Sequence, residues 1–241
     1  MASTLSLHTK GTHKITRDEL DLIPTPPVTA SYQPVSHYHL ANKLVTIGND
    51  ILTDYTMIGE NYGIAREGQR LFAVLNFQRQ DNSEMAMSIG FRNSYDKSMS
   101  IGIAIGASVF VCDNLALEGQ VAVMKKHTKN VWTAIEDLAI TTLYKSGKNF
   151  DKIITDSEHL KTLVFEDRQA FEMIGWLYGQ GIISPRQIPV VKDKWLKPGH
   201  EQFAARNQWS FYNACTEALK STPPTCIMEK HIQLHQEFCH E

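Results

Sequence analysis

Residues 85–106 read MAMSIGFRNSYDKSMSIGIAIG, and this segment carries the clearest structural pattern in the sequence. Large apolar side chains alternate with small or polar ones in 85–91 and again in 99–105, and a period of two residues is typical of β-strands. The polar segment 92–98 between them is rich in residues that form turns. The two runs therefore predict neighbouring antiparallel strands joined by a turn.

One face of this predicted hairpin carries only small side chains, because Ala, Ser and Gly occupy the positions between the large apolar residues. A face without bulky side chains lets another backbone approach closely. A packed helix of the same chain is the interpretation we favour, and a partner protein or a ligand are the alternatives.

The pattern extends in both directions from this hairpin. Short β-like runs occupy 55–58, 62–65 and 71–77 before it, and 107–112 and 115–124 after it. Helical periodicity begins after Ser36, returns at 131–145, where Gly147 predicts the helix end, and continues in 165–178, 185–191, 204–220 and 225–239. The sequence thus predicts an α+β fold with an antiparallel β-meander in the middle of the chain, flanked by helices, and a helical C-terminal half.

Three regions follow from these patterns. Residues 1–34 contain four prolines and predict an extended N-terminal arm, with one helical turn where Thr16 and Glu19 have the spacing of a capping box. Residues 35–147 form the predicted core of helix and sheet. Residues 148–241 form a helical C-terminal region that packs on this core.

Composition limits the function classes. The chain has 241 residues, 42% of them hydrophobic, and a formal net charge of −2. A dedicated duplex-DNA binder usually has a surplus of positive charge, so any nucleic-acid site must be a local patch. The four cysteines form no CxxC pair, and neither a leader-like segment nor a run of about 18 apolar residues is present. We therefore expect reduced thiols, no membrane span and a cytoplasmic location.

The predicted turn and the strand end at 112–114 form the first candidate site. We expect both to lie at one end of the sheet, where Arg92 and Lys97 would bind an anion and Tyr95 would stack on a base. Asp96 and Asp113 would hold a metal ion or act as an acid–base pair. The alternative is an ordinary hairpin loop whose side chains cap their own backbone. The candidate binding residues are Arg92, Asn93, Ser94, Tyr95, Asp96, Lys97 and Asn114.

A basic run and a His/Cys helix face are two further candidates. Lys125, Lys126 and Lys129 would follow a phosphate backbone, or form a solvated basic face. His231, His235 and Cys239 are spaced by four residues and share one helix face, which suits zinc or ordinary helix packing. No fourth ligand is evident. Nucleotide-binding, zinc-protease and serine-hydrolase motifs are absent, so no cofactor is indicated and no enzyme is supported.

The segments RNSYDKS (92–98), VFVCDN (109–114) and WSFYNACTE (209–217) resemble, in the same order, motifs of a family of uncharacterised proteins carried by phages and plasmids, a domain of unknown function. The similarity spans roughly residues 35–220. It implies a mobile-element protein in the cytoplasm of a bacterial host and implies no reaction.

Three functions remain open at this point. The first is binding or annealing of single-stranded DNA, since the order helix, meander, helix is also that of single-strand annealing proteins, which act as homo-oligomeric rings or filaments. The second is inhibition of a host defence protein by protein–protein binding. The third is a metal-dependent enzyme that uses Asp96 and Asp113.

Overall fold

A computed structural model of the protein describes residues 12–81, 84–109 and 114–239. Its centre is a six-stranded sheet in which every neighbouring pair is antiparallel and the strand order follows the chain. The strands are β1 (Thr12–Ile15), β2 (Tyr55–Ala65), β3 (Arg70–Arg79), β4 (Met85–Ser94), β5 (Ile101–Val109) and β6 (Asn114–Lys125).

Helices flank this sheet and make up the C-terminal half of the described chain. They are α1 (Arg17–Asp21), α2 (His37–Ile51), α3 (Val131–Thr162), α4 (Asp167–Gly179), α5 (Ile188–Leu196), α6 (Gln208–Leu219) and α7 (Ile227–Phe238), with a short 3-10 helix at Glu201–Phe203. The predicted α+β fold, with a central antiparallel meander and a helical C-terminal half, is confirmed.

The hairpin predicted from 85–106 is β4 and β5, in which Phe91 pairs with Ile103 and Ile89 with Ile105. The runs 55–58 and 62–65 join into the single strand β2, and the register of its pairing with β3 shifts between Met57 and Gly59. The prediction of a separate strand at 107–112 was wrong for 107–109, which complete β5, and 110–112 lie outside the described residues.

The two faces of the sheet are covered differently. The large apolar side chains of β4 and β5, with Leu71, Leu75 and Phe77 of β3, form the main core with α2 and α3. On the small-residue face, Ala104 packs in a second cluster with Ile227 and Met228 of α7. A Cβ at Gly102 would lie 3.1 Å from the Met228 sulfur, so the absent side chain is what admits α7 there. A helix of the same chain therefore covers this part of the face, as the sequence predicts.

The longest helix corrects a prediction. Gly147 was expected to end a helix at 131–145, but α3 continues to Thr162. A glycine inside a helix costs about 1 kcal/mol, which the packing of α3 on β5, β6, α2 and α6 offsets. The helix thus runs through the predicted boundary between 147 and 148. Two other helices begin three or four residues later than predicted, α5 at Ile188 and α6 at Gln208.

Part of the N-terminal region pairs with the sheet. β1 was not predicted; it adds an edge strand to β2, and Thr12 pairs with Ala65. The capping box is confirmed, since the Thr16 hydroxyl accepts a hydrogen bond from the Glu19 amide and the Glu19 carboxylate accepts one from the Thr16 amide.

No helix in the described ranges has both the length and the apolar character that crossing a membrane requires.

Candidate functional site

One end of the sheet brings together two segments that are separate in sequence. The β4–β5 turn lies between Ser94 and Ile101, and Ile101 pairs with Lys125 at the end of β6. The turn that carries Lys97 therefore lies beside the loop that follows β6. We call the four lysines of these segments the basic end: Lys97, Lys125, Lys126 and Lys129.

Asn93 is the buried connection at this end. Its Nδ2 donates to the Val35 carbonyl oxygen (2.6 Å) and to Nδ1 of His37 (2.9 Å). Its Oδ1 accepts from Nε2 of His127 (2.8 Å). Since His37 accepts at Nδ1, its proton is on Nε2, which donates to the Gly68 carbonyl oxygen (3.0 Å). One side chain thus fixes the start of α2 and the loop after β6.

Both histidines in this network are held in the neutral form. Burial lowers the pKa of His37 to about 4, and this outweighs the hydrogen bond to Gly68. Burial also lowers the pKa of His127. The network therefore suits neutral pH, and protonation of His37 at Nδ1 would remove the acceptor for Asn93 Nδ2.

Tyr95 is part of the same buried structure. Its ring stacks on His37 with centroids 3.9 Å apart, and its hydroxyl accepts a hydrogen bond from the His37 amide (2.8 Å). Only 4% of Tyr95 is exposed. The ring that the sequence suggested for stacking on a base is thus occupied by a histidine of the same chain.

Ser94 and Asp96 shape the turn itself. The Ser94 hydroxyl donates to the Met99 carbonyl oxygen (2.9 Å), and Asp96 accepts from Arg70 (2.6 Å) and from the Ser98 amide (3.0 Å). Burial raises the pKa of Asp96, but the hydrogen bonds from Ser98 and the Arg70 guanidinium outweigh it and hold that pKa below its usual value. These contacts match the hairpin-loop alternative, in which side chains cap their own turn.

Arg92 lies on the small-residue face rather than at the surface. It is 5% exposed, and its Nη1 donates to Glu229 (2.5 Å) and to the Thr225 carbonyl oxygen (3.0 Å). Arg92 therefore ties β4 to α7. Its predicted role as an external anion ligand stays a prediction, with its guanidinium bonded within the chain.

Lys97 is an exposed residue of the turn whose side chain contacts a buried ring. Its backbone is left-handed, with φ of 60°, and its Nζ lies 4.7 Å from the centre of the Tyr32 ring. That ring lies 5.3 Å from the ring of His127. Lys126 and Lys129 flank His127 and are exposed, and Lys125 is partly buried. The buried rings of Tyr32 and His127 thus hold the two basic segments next to each other.

The sequence did not identify Tyr32, His37 and His127 as parts of this end. Polar and aromatic residues far apart in the chain give no periodic signal. His127 was visible within the lysine run, and its position there was the one available clue.

The expected meeting of the turn with Asn114 was wrong. Asn114 pairs with Val109, which pairs with Met85. This is the opposite end of β5 from Asp96, and nine strand residues span roughly 30 Å. A meander places successive turns at alternate ends, so the Asn114 backbone cannot join the basic end. Asp113 lies outside the described residues.

The residues of the C-terminal candidate metal site also differ from the predicted set. Ligand atoms of His235, Cys239 and Asp156 of α3 lie within 4.8 Å of one another, and His231 is not in this group. Burial lowers the pKa of His235 and so favours the neutral imidazole, although the negative charge of Asp156 acts in the opposite direction.

Comparison with known proteins gave one match. A family model described as "Domain of unknown function (DUF932)" matches residues 27–225. Searches of curated proteins and of solved structures found no match. The matched span contains β2 to β6, the basic end and Asp156, and it excludes His235 and Cys239.

Proposed function

The chain belongs to this family of domains of unknown function, and from that premise we propose that it is a phage or plasmid accessory protein that binds single-stranded nucleic acid at the basic end of its sheet, in the cytoplasm of its bacterial host. The mobile-element origin rests on the resemblance of segments 92–98, 109–114 and 209–217. The binding function rests on one observation: two separate basic segments meet on a shared buried framework.

The charges at this end favour an anionic ligand. The two adjacent segments carry four lysines, and the acid of the turn, Asp96, is paired with Arg70 at 2.6 Å. Lys126 and Lys129 are exposed, so their ammonium groups reach solvent. Phosphate groups at this position would release bound counterions, which is the main driving force of non-specific binding.

The arrangement favours contacts to phosphates over contacts to bases. The rings of Tyr32 and Tyr95 are buried, so base stacking is not expected from them. Phosphate contacts position a strand without reading its sequence. With a net charge of −2 on the chain, each subunit would bind weakly and with strong salt dependence. A homo-oligomer would align several basic ends on one strand and raise the avidity, which fits an annealing function.

Fluorescence anisotropy of a labelled single-stranded oligonucleotide, at low and at moderate salt, tests the proposal. We expect micromolar binding that weakens with salt and weakens further in the Lys125→Ala/Lys126→Ala variant. The Lys192→Ala/Lys197→Ala variant is the matched control, because both lysines are exposed in the helical half of the chain. Absence of binding at low salt would refute the proposal.

A second candidate function, inhibition of a host defence protein, is favoured by the surface of α4. Phe171, Trp176 and Tyr178 are 42%, 52% and 48% exposed. Aromatic side chains of this kind dominate the energetics of protein interfaces. The Trp176 indole donates to Glu237 (2.7 Å), so this ring is held in place before any partner arrives. Loss of a captured host protein in Phe171→Ala/Tyr178→Ala, with nucleic-acid binding unchanged, would support this function.

A further inference from the structure

Three side chains of different chemistry converge where the end of α7 meets α3. Asp156 projects from α3, His235 lies in the last turn of α7, and Cys239 directly follows that helix. One ligand atom from each lies within 4.8 Å of the other two. The Cys239 amide donates to the His235 carbonyl oxygen (2.9 Å), which sets the spacing of these two residues along the helix end.

Two buried polar atoms in this group lack hydrogen-bond partners among the described residues. They are Oδ2 of Asp156 and Nε2 of His235, and they face each other at 3.8 Å, which is too long for a hydrogen bond. His235 is only 5% exposed. Buried polar atoms in native proteins almost always have a partner, so this pair points to a group that binds between them.

The other ring nitrogen of His235 lies next to the hydroxyl of a buried tyrosine. Nδ1 lies 3.5 Å from the Tyr212 hydroxyl, and Tyr212 is fully enclosed between Trp209, which stacks on it at 5.4 Å, and Phe238, which contacts it edge-on at 5.5 Å. Histidines that bind metals commonly use the second nitrogen in this way, which orients the ring and fixes the free lone pair.

We propose that Asp156, His235 and Cys239 bind one divalent transition-metal ion of the zinc class, which clamps the end of α7 to α3. Carboxylate, imidazole and thiolate are all zinc ligands, and tetrahedral zinc separates its ligand atoms by about 3.3–3.8 Å. The present separations need only small side-chain movements to reach that geometry. Three protein ligands leave a fourth position for water. Burial and the positive charge of Lys152, one turn before Asp156, lower the pKa of His235.

The competing explanation is an Asp–His pair without a metal, in which Cys239 has no role. Cobalt distinguishes the two, because a thiolate bound to Co²⁺ gives an intense near-ultraviolet charge-transfer band that carboxylate and imidazole do not produce. His235 and Cys239 lie beyond the family match at 27–225, so two of the three proposed ligands are outside the matched span.

The experiment titrates the purified, metal-free, reduced full chain with Co²⁺ and then displaces Co²⁺ with Zn²⁺. We expect about one equivalent of Co²⁺, a thiolate charge-transfer band, and loss of that band on zinc addition. The Cys239→Ser variant should lose the band, and Asp156→Asn and His235→Ala should weaken Co²⁺ binding at least tenfold. Cys226→Ser, at the other end of α7, is the matched control and should behave as wild type.

Circular dichroism of each metal-free variant verifies folding, and the wild-type spectrum tests the proposal without any variant. Absence of a charge-transfer band in the wild-type chain at micromolar Co²⁺ would overturn it. A band that persists in Cys239→Ser would overturn it equally, because the thiolate would then come from another cysteine.

Discussion

Asn93 and His127 are joined by a buried hydrogen bond of 2.8 Å, from the ring Nε2 to the side-chain Oδ1. This bond connects the end of β4 to the loop that carries Lys126 and Lys129. The positions of the lysines therefore depend on a residue that cannot itself touch a ligand, since Asn93 is fully buried.

Removing the Asn93 amide should destabilise the whole protein. Asn93→Ala leaves the His127 donor, the His37 acceptor and the Val35 carbonyl without this partner, and we expect a loss of about 2–4 kcal/mol. Urea unfolding measures the loss. Asn130→Ala is the control, because Asn130 is exposed and its side chain makes no capping bond; its effect should stay within about 0.5 kcal/mol. Equal effects of the two substitutions would contradict the proposed network.

Stability should fall as the solution is acidified, because of His37. The folded-state pKa is about 4, and the unfolded value is about 6.5. Acid therefore protonates the unfolded chain first, so this contribution is present above pH 6.5 and is lost progressively as the pH falls toward 4. We expect His37 to account for a loss of about 2 kcal/mol between pH 7 and pH 5.

Denaturant unfolding at the two pH values measures this loss. His37→Gln should reduce the pH-dependent difference by that amount, and His39→Gln, an exposed site on the same helix, should leave it unchanged. A wild-type pH dependence in His37→Gln would show that another group is responsible.

A glycine in α2 is required by packing rather than by backbone conformation. A Cβ at Gly48 would lie 2.7 Å from Cζ of the buried Phe77 ring. We expect Gly48→Ala to destabilise the protein by about 1–2 kcal/mol, although alanine has the better helix propensity. Gly175→Ala in α4 is the matched control, because no atom lies within 4 Å of its Cβ position. It should stabilise the protein by up to about 1 kcal/mol, and thermal unfolding should show shifts of opposite sign.

The ion pair between Arg92 and Glu229 should respond asymmetrically to substitution. Glu229→Ala leaves a buried guanidinium without its carboxylate and should cost about 1–3 kcal/mol. Arg92→Met leaves only a partly exposed carboxylate and should cost less. Urea unfolding compares the two variants. Because the Arg92 guanidinium is bonded within the chain, nucleic-acid affinity should be unchanged in Arg92→Met. A loss of affinity would support the prediction that Arg92 binds an anion.

The fold was largely predictable because β4 and β5 show strict two-residue alternation and the later helices show regular apolar spacing. The end of α3 was not predictable, since the tertiary packing that stabilises this helix beyond Gly147 leaves no signal in the local sequence. Edge strand β1 was missed because four residues with mixed polarity have no clear period.

The site was predictable only in part. The lysine run and the polar turn were visible as separate segments, but their meeting depends on the strand register that pairs Ile101 with Lys125. The position predicted for Asn114 was wrong because the prediction did not take into account that successive turns of a meander lie at alternate ends of the sheet. Asp156 could not be paired with His235 from the sequence, since 79 residues separate them and no motif marks the carboxylate.

The salt dependence of single-strand binding tests the central claim most directly. Four lysines that contact phosphates predict a slope of log affinity against log salt of about −3, and the Lys126→Ala/Lys129→Ala variant should reduce its magnitude to about −1.4. The Lys192→Ala/Lys197→Ala variant should keep the wild-type slope. A slope that is unchanged by loss of Lys126 and Lys129 would show that the basic end does not carry the binding.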